Sequence, residues 1–247
     1  KTMNDENAEG VLKKCRVVAA YPKGSPDIES SVSRVPKYTE EIQKFGVEIV
    51  DSIPALLEKV DAVMLETNDG RPHLEQVIPV LKAGKRVFID KPIAGSLTDS
   101  ILIFKESEKY GVPLFSSSSL RYGPGTQEVR AGAIGTVKHC QTGSPASLEK
   151  THPDLFWYGI HGVESLFTAM GTGCESVARS KSEEGMIRVE GKWGGGRVGI
   201  FEERKGYGGI AKGEKGEKDI GTYPGYGPLV VEIGKYFETG KIPVQPK

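Results

Sequence analysis

Residues 61–92 read DAVMLETNDGRPHLEQVIPVLKAGKRVFIDKP, and they predict a strand, a helix and a second strand. Residues 62–65 and 87–89 are short, unbroken apolar runs, which are typical of strands that are covered on both faces. An apolar stripe with the helical spacing i, i+3, i+4 and i+7 lies between them: Leu74, Val77, Ile78 and Leu81. A strand, a crossover helix and a second strand form the repeating unit of a parallel sheet.

The same alternation extends on both sides of this unit. Strand-like runs precede and follow it: 16–20, 47–50 and 112–115. Helical patterns lie among these runs: 39–45, 52–59 and 96–110. At the start of the last helix, Ser96 and Asp99 have the spacing of a capping box. We therefore expect an α/β fold with a doubly wound, Rossmann-type parallel sheet over about residues 10–118.

The pattern changes after residue 120. A helix is predicted over 157–170, and strand-like segments follow it: 187–193, 197–203, 208–212 and 219–223. Gly194–Gly196 predicts a hairpin turn, and the Gly- and Lys-rich run 206–218 predicts a hairpin and loop, since it lacks the ending of a phosphate loop. We expect an α+β domain with a large, mainly antiparallel open sheet over about 135–225. The predicted domains are 1–120, which binds nucleotide, and 121–247, which binds substrate and forms oligomers.

The composition excludes several classes of function. Lys plus Arg and Asp plus Glu both number 33, so no global field attracts nucleic acid or an anionic membrane. No apolar run approaches the ~20 residues that span a bilayer. Cys15, Cys140 and Cys174 are widely spaced, which argues against a structural zinc site and a disulfide framework. Such cysteines favour a reducing compartment, so we expect a cytoplasmic protein. Whether a signal peptide precedes Lys1 stays open.

Three motifs carry a resemblance to a known family: Asp61–Asn68 with His73 behind it, Ile89–Pro92 (IDKP), and Gly159–Glu164 (GIHGVE). Shorter segments agree in the same order: Leu120–Pro124, Ala133–Val137 and a late helix over 229–241. Together they resemble the glucose-fructose oxidoreductase and inositol dehydrogenase (Gfo/Idh/MocA) family. Asp90 stands where the family has a glutamate.

The resemblance implies NAD or NADP as cofactor and a sugar or polyol as substrate, bound in a cleft between two domains. The residues implied for the cofactor are Thr67, Asn68, His73, Asp90, Lys91, Pro92 and Arg121. Those implied for the substrate are Lys91, Arg121, Trp157 and His161, with Lys91 and His161 catalytic and no metal. We expect Lys91 and His161 to face each other and the Lys91–Pro92 peptide bond to be cis. The outer face of the second sheet is expected to form a homodimer or homotetramer.

The chemistry of hydride transfer explains these two residue types. When hydride leaves a carbon, the proton of its hydroxyl group must pass to a base, or charge builds up on oxygen. A lysine at the carboxyl end of a strand stabilises that charge, and a histidine accepts a proton near neutral pH. The plainer interpretations are a solvated turn lysine at Lys91 and, at His161, a solvated helix face shared with Glu164, Ser165 and Thr168.

Two regions depart from the family pattern on the nucleotide side. The glycine-rich turn expected after the first Rossmann strand does not occur in its place, and residues 1–14 resemble the helix that follows such a turn. Native sequence ahead of Lys1 would show whether that strand and turn exist. No acid follows the strand 16–20 before Asp27, while Lys23 suits a 2′-phosphate, so the choice between NAD and NADP stays open.

A third departure concerns the histidine. The family often places an aspartate four residues before it to orient the ring, and Trp157 holds that position here. Asp154 and Glu164 are the nearby acidic candidates, and Trp157 suits stacking on a sugar ring. Two alternatives to an enzyme therefore remain: a non-catalytic protein of this fold that binds a sugar or nucleotide, and a structural or oligomer-forming protein.

Overall fold

The computed structural model describes residues 2–246 and divides the chain into two compact units. The first comprises residues up to 117 together with 230–246, and the second comprises 118–229. The prediction had placed everything after residue 120 in the second domain. The C-terminal segment instead packs in the first unit because the fully buried Tyr236 ring meets Phe115 edge-on at 5.4 Å. Its hydroxyl also donates to Pro113 O and accepts from Val87 N.

The first unit alternates helices and strands as predicted. Its elements are β1 Ala19–Ala20, α1 Glu29–Val32, α2 Val35–Gln43, β2 Glu48–Ile49, α3 Ile53–Leu57, β3 Ala62–Leu65, α4 His73–Lys82, β4 Arg86–Ile89, α5 Leu97–Tyr110 and β5 Leu114–Ser116. The predicted cap of α5 is confirmed, since Ser96 Oγ accepts from Asp99 N at 3.0 Å. The helix ends at Gly111, whose φ of 67° only glycine adopts readily.

The helix predicted for residues 1–14 is wrong. The structure has two short 3-10 turns there, Thr2–Asn4 and Gly10–Lys14. The Asn4 side chain bonds both the N–H and the C=O of Val17 at 2.8 Å, which ties this segment to a residue thirteen positions further along the chain. Gly10, with φ of 56°, has a left-handed conformation that an α-helix does not contain.

The parallel strands form two sheets rather than the single sheet that was expected. β3, β4 and β5 pair in parallel, and β1 pairs separately with β2. A Rossmann sheet has the strand order 3-2-1-4-5-6, in which strand 1 lies between strands 2 and 4. β1 and β3 correspond to strands 2 and 4, and no strand within residues 2–246 pairs with both of them.

The second unit contains a six-stranded sheet. Its elements are α6 Pro124–Arg130, β6 Val137–Ser144, α7 Ile160–Met170, β7 Cys174–Lys181, β8 Ile187–Trp193, β9 Arg197–Glu203, β10 Gly208–Gly213 and β11 Gly216–Ile220, and α8 Gly227–Thr239 follows them. The order is β11-β10-β6-β9-β8-β7, antiparallel except for the parallel pair β6–β9, so the mainly antiparallel sheet is confirmed. Both predicted hairpins, β8–β9 and β10–β11, are present. The prediction missed β6 and β7 and placed the last strand three residues too late.

The two faces of this sheet differ in their surroundings. On one face, α7 packs over a buried core that includes Trp193, Phe201 and Ala211. Registered neighbours place one row of residues across the other face: Asp219, Ile210, Gln141, Ile200, Glu190 and Ala178. Apolar and polar side chains are mixed in that row. Among residues 2–246, no helix is long and apolar enough to cross a membrane.

Candidate functional site

One group of predicted residues lies at the carboxyl ends of β3 and β4. Glu66, Thr67 and Asn68 follow β3, and Asp90 and Lys91 follow β4. The two strands are parallel and in register, so these segments leave the same edge of the sheet. Asp90 N donates to Leu65 O at 2.9 Å, which extends the strand pairing by one residue. The Lys91–Pro92 peptide bond is cis, as expected, and Lys91 is half-buried.

His73 packs against these loops, and its side chain has no exposed surface. Its side chain is fully buried, with Nε2 at 2.7 Å from Thr67 O and Nδ1 at 3.2 Å from Ile93 O. Burial lowers the pKa of His73, so the ring is neutral near pH 7. The ring thus lies between the loop after β3 and the loop after β4, and because a neutral imidazole has one N–H, it donates to only one of these two carbonyl oxygens. Its burial suits a role in positioning these loops, and its contact with the cofactor stays a prediction.

The side chains that leave β3 are also held by hydrogen bonds. Thr67 Oγ1 donates to Gln76 Oε1 at 3.0 Å, and Asn68 Nδ2 donates to Ser30 O at 3.4 Å. Glu66 is an acid at this edge that the sequence analysis did not single out. Desolvation by the surrounding protein, and then the negative charge of Asp90, raise the pKa of Glu66 to about 8, although solvent still reaches the side chain.

The first acid after β1 is already engaged by an arginine. Both Asp27 carboxylate oxygens accept from the Arg71 guanidinium, at 2.7 and 2.8 Å, and these bonds lower the pKa of Asp27. Arg71 also bonds the buried Asp69 carboxylate, which accepts a further hydrogen bond from Ser25 Oγ. This network joins the loop after β1 to the loop after β3. It leaves Lys23, which is exposed, as the nearest charged residue after β1.

A second group surrounds His161 at the start of α7. Its Nδ1 lies 2.7 Å from Ser118 Oγ, and that oxygen accepts from Leu120 N at 3.2 Å. Glu164, one turn further along α7, accepts from Ser118 N at 2.6 Å and from Arg121 Nε at 2.7 Å. The Arg121 and Glu164 side chains are only 14% and 13% exposed. The polar face of α7 thus packs against residues 118–121.

This packing corrects the plainer interpretation of α7. Ser165 and Thr168, which share the polar face, are buried, whereas Phe167 of the apolar stripe is 37% exposed. The helix begins at Ile160, three residues later than predicted, after a 3-10 turn at Asp154–Phe156. A solvated polar face therefore does not describe the surroundings of His161.

The two acids proposed as partners of His161 bind other groups through their carboxylates. Asp154 accepts from Arg179 at 2.7 and 3.2 Å, and Glu164 holds Ser118 and Arg121. Ser118 Oγ contacts His161 Nδ1 instead, and the sequence analysis did not identify this serine. The only signal in the sequence was a run of four serines, 116–119, directly before the Leu-Arg-Tyr motif. Trp157 is half-buried, with its ring 5.0 Å from that of His152.

The G-x-G-x-x-G spacing occurs in the second unit, at Gly194, Gly196 and Gly199. These glycines lie in the turn between β8 and β9 and in β9 itself, which are antiparallel. A nucleotide-binding turn leads from a strand into a helix, so this one does not qualify. Gly199 instead makes room for Trp193, whose ring would lie 2.7 Å from an added Cβ.

Comparisons with known proteins agree with this fold and these motifs. A family model described as "Oxidoreductase family, NAD-binding Rossmann fold" matches residues 14–118. The chain is 35% identical over 116 residues to inositol 2-dehydrogenase 3 of Saccharopolyspora erythraea, a match that covers 43% of this chain. The aligned part spans about a third (34%) of that relative's own length.

Solved structures share the fold over most of the chain. One is an aldose-aldose oxidoreductase from Caulobacter crescentus complexed with glycerol, with a TM-score of 0.69, 16% identity, and coverage of 93% of this chain and 83% of that chain. Another is GenD2 from gentamicin A biosynthesis in complex with NAD, with a TM-score of 0.66, 18% identity, and coverage of 88% of this chain and 69% of that chain. At these identities the likeness establishes the fold, a Rossmann-type unit followed by a unit built on a mainly antiparallel sheet.

Proposed function

We propose that this protein, which belongs to the Gfo/Idh/MocA family of oxidoreductases with an NAD-binding Rossmann fold, transfers a hydride between a nicotinamide dinucleotide and a hydroxyl-bearing carbon of a sugar or polyol. The observation that carries the proposal is the position of Lys91. It follows a parallel strand within the residues that match the family, at the sheet edge where such folds bind their ligands. The similarity to an inositol dehydrogenase supports the class of substrate.

The residues present fit one part of a dinucleotide. Thr67, Asn68 and Asp90 offer hydroxyl, amide and carboxylate groups at the edge of β3 and β4, and we propose that they hold the nicotinamide end. The two loops there pack closely, since a Cβ on Gly70 would lie 2.5 Å from Ala94 C. A nicotinamide dinucleotide supplies the hydride acceptor or donor when it is bound. Within residues 2–246, no strand leads through a glycine-rich turn into a helix to cradle the pyrophosphate.

Lys91 and His161 have complementary roles in this proposal. The Lys91 ammonium group donates a hydrogen bond to the substrate oxygen and stabilises the negative charge that develops there. His161 Nε2 accepts the hydroxyl proton, while Nδ1 is held by Ser118 Oγ. Arg121 is committed to Glu164, so we propose that it fixes residues 118–121 and α7 and does not contact the cofactor itself.

The experiment that tests the function is a titration with NADH and with NADPH, followed by oxidation assays on a panel of sugars and polyols. The protein used should include any native sequence that precedes Lys1. We expect saturable binding of at least one cofactor and cofactor reduction by at least one polyol. The two cofactors are titrated separately because Asp27 is bound to Arg71 while Lys23 is exposed. Binding of a cofactor without turnover of any sugar would favour the non-catalytic alternative, and binding of neither would contradict the proposal.

We further propose that the open face of the six-stranded sheet joins two copies of the chain. Its central row includes Ile210, a half-buried apolar group that a partner would cover. Sedimentation at micromolar concentration should show a dimer or tetramer. Ile210→Lys should shift the protein toward the monomer, because it would place an unpaired ammonium group in the interface. A monodisperse wild-type monomer would contradict this proposal.

A further inference from the structure

Three tyrosines form a continuous strip that begins beside His161. The rings of His161 and Tyr207 lie 6.1 Å apart at 88°. Tyr207 is followed by Tyr223 at 5.9 Å, and Tyr223 by Tyr226 at 5.9 Å and 82°. We call Tyr207, Tyr223 and Tyr226 the tyrosine strip. All of its members belong to the second unit, as His161 does.

The outer part of the strip is accessible to solvent. Tyr223 and Tyr226 are 45% and 64% exposed, although they lie in contact with each other. Aromatic side chains that fill a core lose nearly all of their exposed surface, as Tyr236 does in the first unit. A row of touching, exposed rings that starts at a candidate catalytic residue is instead typical of a surface that receives a ligand.

The strip rests on two loops that the structure fixes. Gly221 N donates to Thr126 Oγ1 at 3.0 Å, which ties the loop bearing Tyr223 and Tyr226 to α6. Gly221 has φ of 71°, and a Cβ there would lie 3.2 Å from Gly208 C, so this loop packs against the segment that follows Tyr207. The loop that bears Tyr223 and Tyr226 is therefore anchored at Gly221 before any ligand arrives, which lowers the entropic cost of binding.

The chemistry of the strip suits a neutral ligand rich in hydroxyl groups. The apolar face of a phenol ring packs against the C–H face of a sugar ring, and its hydroxyl group bonds the sugar hydroxyls. Tyr207 OH lies 3.1 Å from Tyr158 OH. Desolvation, and then this contact, raise the pKa of Tyr207, so its hydroxyl group stays neutral and keeps a proton to donate.

We propose that the tyrosine strip binds a second sugar ring, joined by a glycosidic bond to the ring that reacts at His161. The substrate class is then a disaccharide or other glycoside in preference to a free monosaccharide or cyclitol. This inference rests on the proposed function, because it takes His161 as the position of the reacting ring. Tyr207 holds the linkage region next to His161, and Tyr223 and Tyr226 hold the second ring.

The test measures binding and turnover separately. Calorimetric titrations, with and without NADH, use glucose, myo-inositol, cellobiose and maltose as probes. We expect at least one disaccharide to bind wild-type protein about tenfold more tightly than glucose, which corresponds to about 1.4 kcal/mol. Tyr226→Ala and Tyr223→Ala should each remove most of that advantage and leave glucose binding within about twofold. Tyr38→Ala is the matched control, because Tyr38 is 54% exposed and lies in α2 of the other unit.

Several outcomes would overturn the inference. Equal affinity for glucose and both disaccharides is one, and no saturable binding of either disaccharide up to its solubility limit is another. A change of sedimentation in Tyr226→Ala without a change of disaccharide affinity would assign the strip to an interface between subunits. Failure of the proposed redox function gives a different result. If disaccharide binding depends on Tyr226 but no sugar is oxidised with either cofactor, the subsite is supported and the redox function is not.

Discussion

Lys91→Met is expected to lower the rate of hydride transfer by on the order of 10²–10³-fold while the melting temperature stays nearly unchanged. An ammonium group directed at a developing alkoxide acts mainly in the transition state, so its loss lowers kcat more than it raises KM. Methionine keeps an unbranched aliphatic stem, and the packing around β4 should therefore survive. The measurements are steady-state kinetics at pH 7 and thermal unfolding followed by circular dichroism.

Lys82→Met is the matched control for this prediction. Lys82 is an exposed lysine at the end of α4 in the same unit, so the substitution removes the same charge from the same domain. We expect its kcat and KM to equal those of the wild type. Full activity in Lys91→Met would mean that the site has been assigned wrongly, even though residues 14–118 match the family model. Equal losses in the two variants would indicate a general effect of charge.

Local signals in the sequence were sufficient for the central part of the first unit, from β3 to α5. The bounds of β3 and β4 and the Ser96 cap of α5 follow from contacts within one or two helical turns or along a short strand. The helix expected at 1–14 does not form, and the Asn4 side chain instead bonds the backbone of Val17, a contact beyond the reach of helical spacing. The position of the C-terminal segment also depended on a distant contact, between Tyr236 and Pro113, which no local pattern encodes.

The candidate site shows the same limit. Lys91 and His161 were found because short motifs flank them, but their surroundings are built from distant residues. Ser118 lies 43 residues from His161 and 46 from Glu164, so nothing in either segment points to the other. β6 was missed for a related reason. It is a central strand, yet one of its faces is the open face of the sheet, so polar residues such as Gln141 interrupt its apolar pattern.

His161→Asn is expected to lower turnover by on the order of 10²–10⁴-fold, since that is the usual contribution of a general base. Asparagine can still donate and accept hydrogen bonds, but it does not titrate. The limb of the kcat/KM profile between about pH 5 and 8 should therefore flatten. A profile that keeps its wild-type limb in His161→Asn would show that another group accepts the proton.

Ser118 provides a second test of the same residue, through its orientation. Leu120 N–H occupies only one of the two lone pairs of Ser118 Oγ, so this oxygen can also accept from His161 Nδ1–H and leave Nε2 as the base. The neutral hydroxyl group supplies no charge to stabilise an imidazolium. Ser118→Ala should thus reduce kcat by about tenfold with little change in KM, a smaller loss than removal of the base itself. Ser118→Thr keeps the hydroxyl group and should restore most of the rate. A loss in Ser118→Thr as large as in Ser118→Ala, or a matching fall in melting temperature, would assign Ser118 to the packing of residues 118–121 against α7 and not to the orientation of His161.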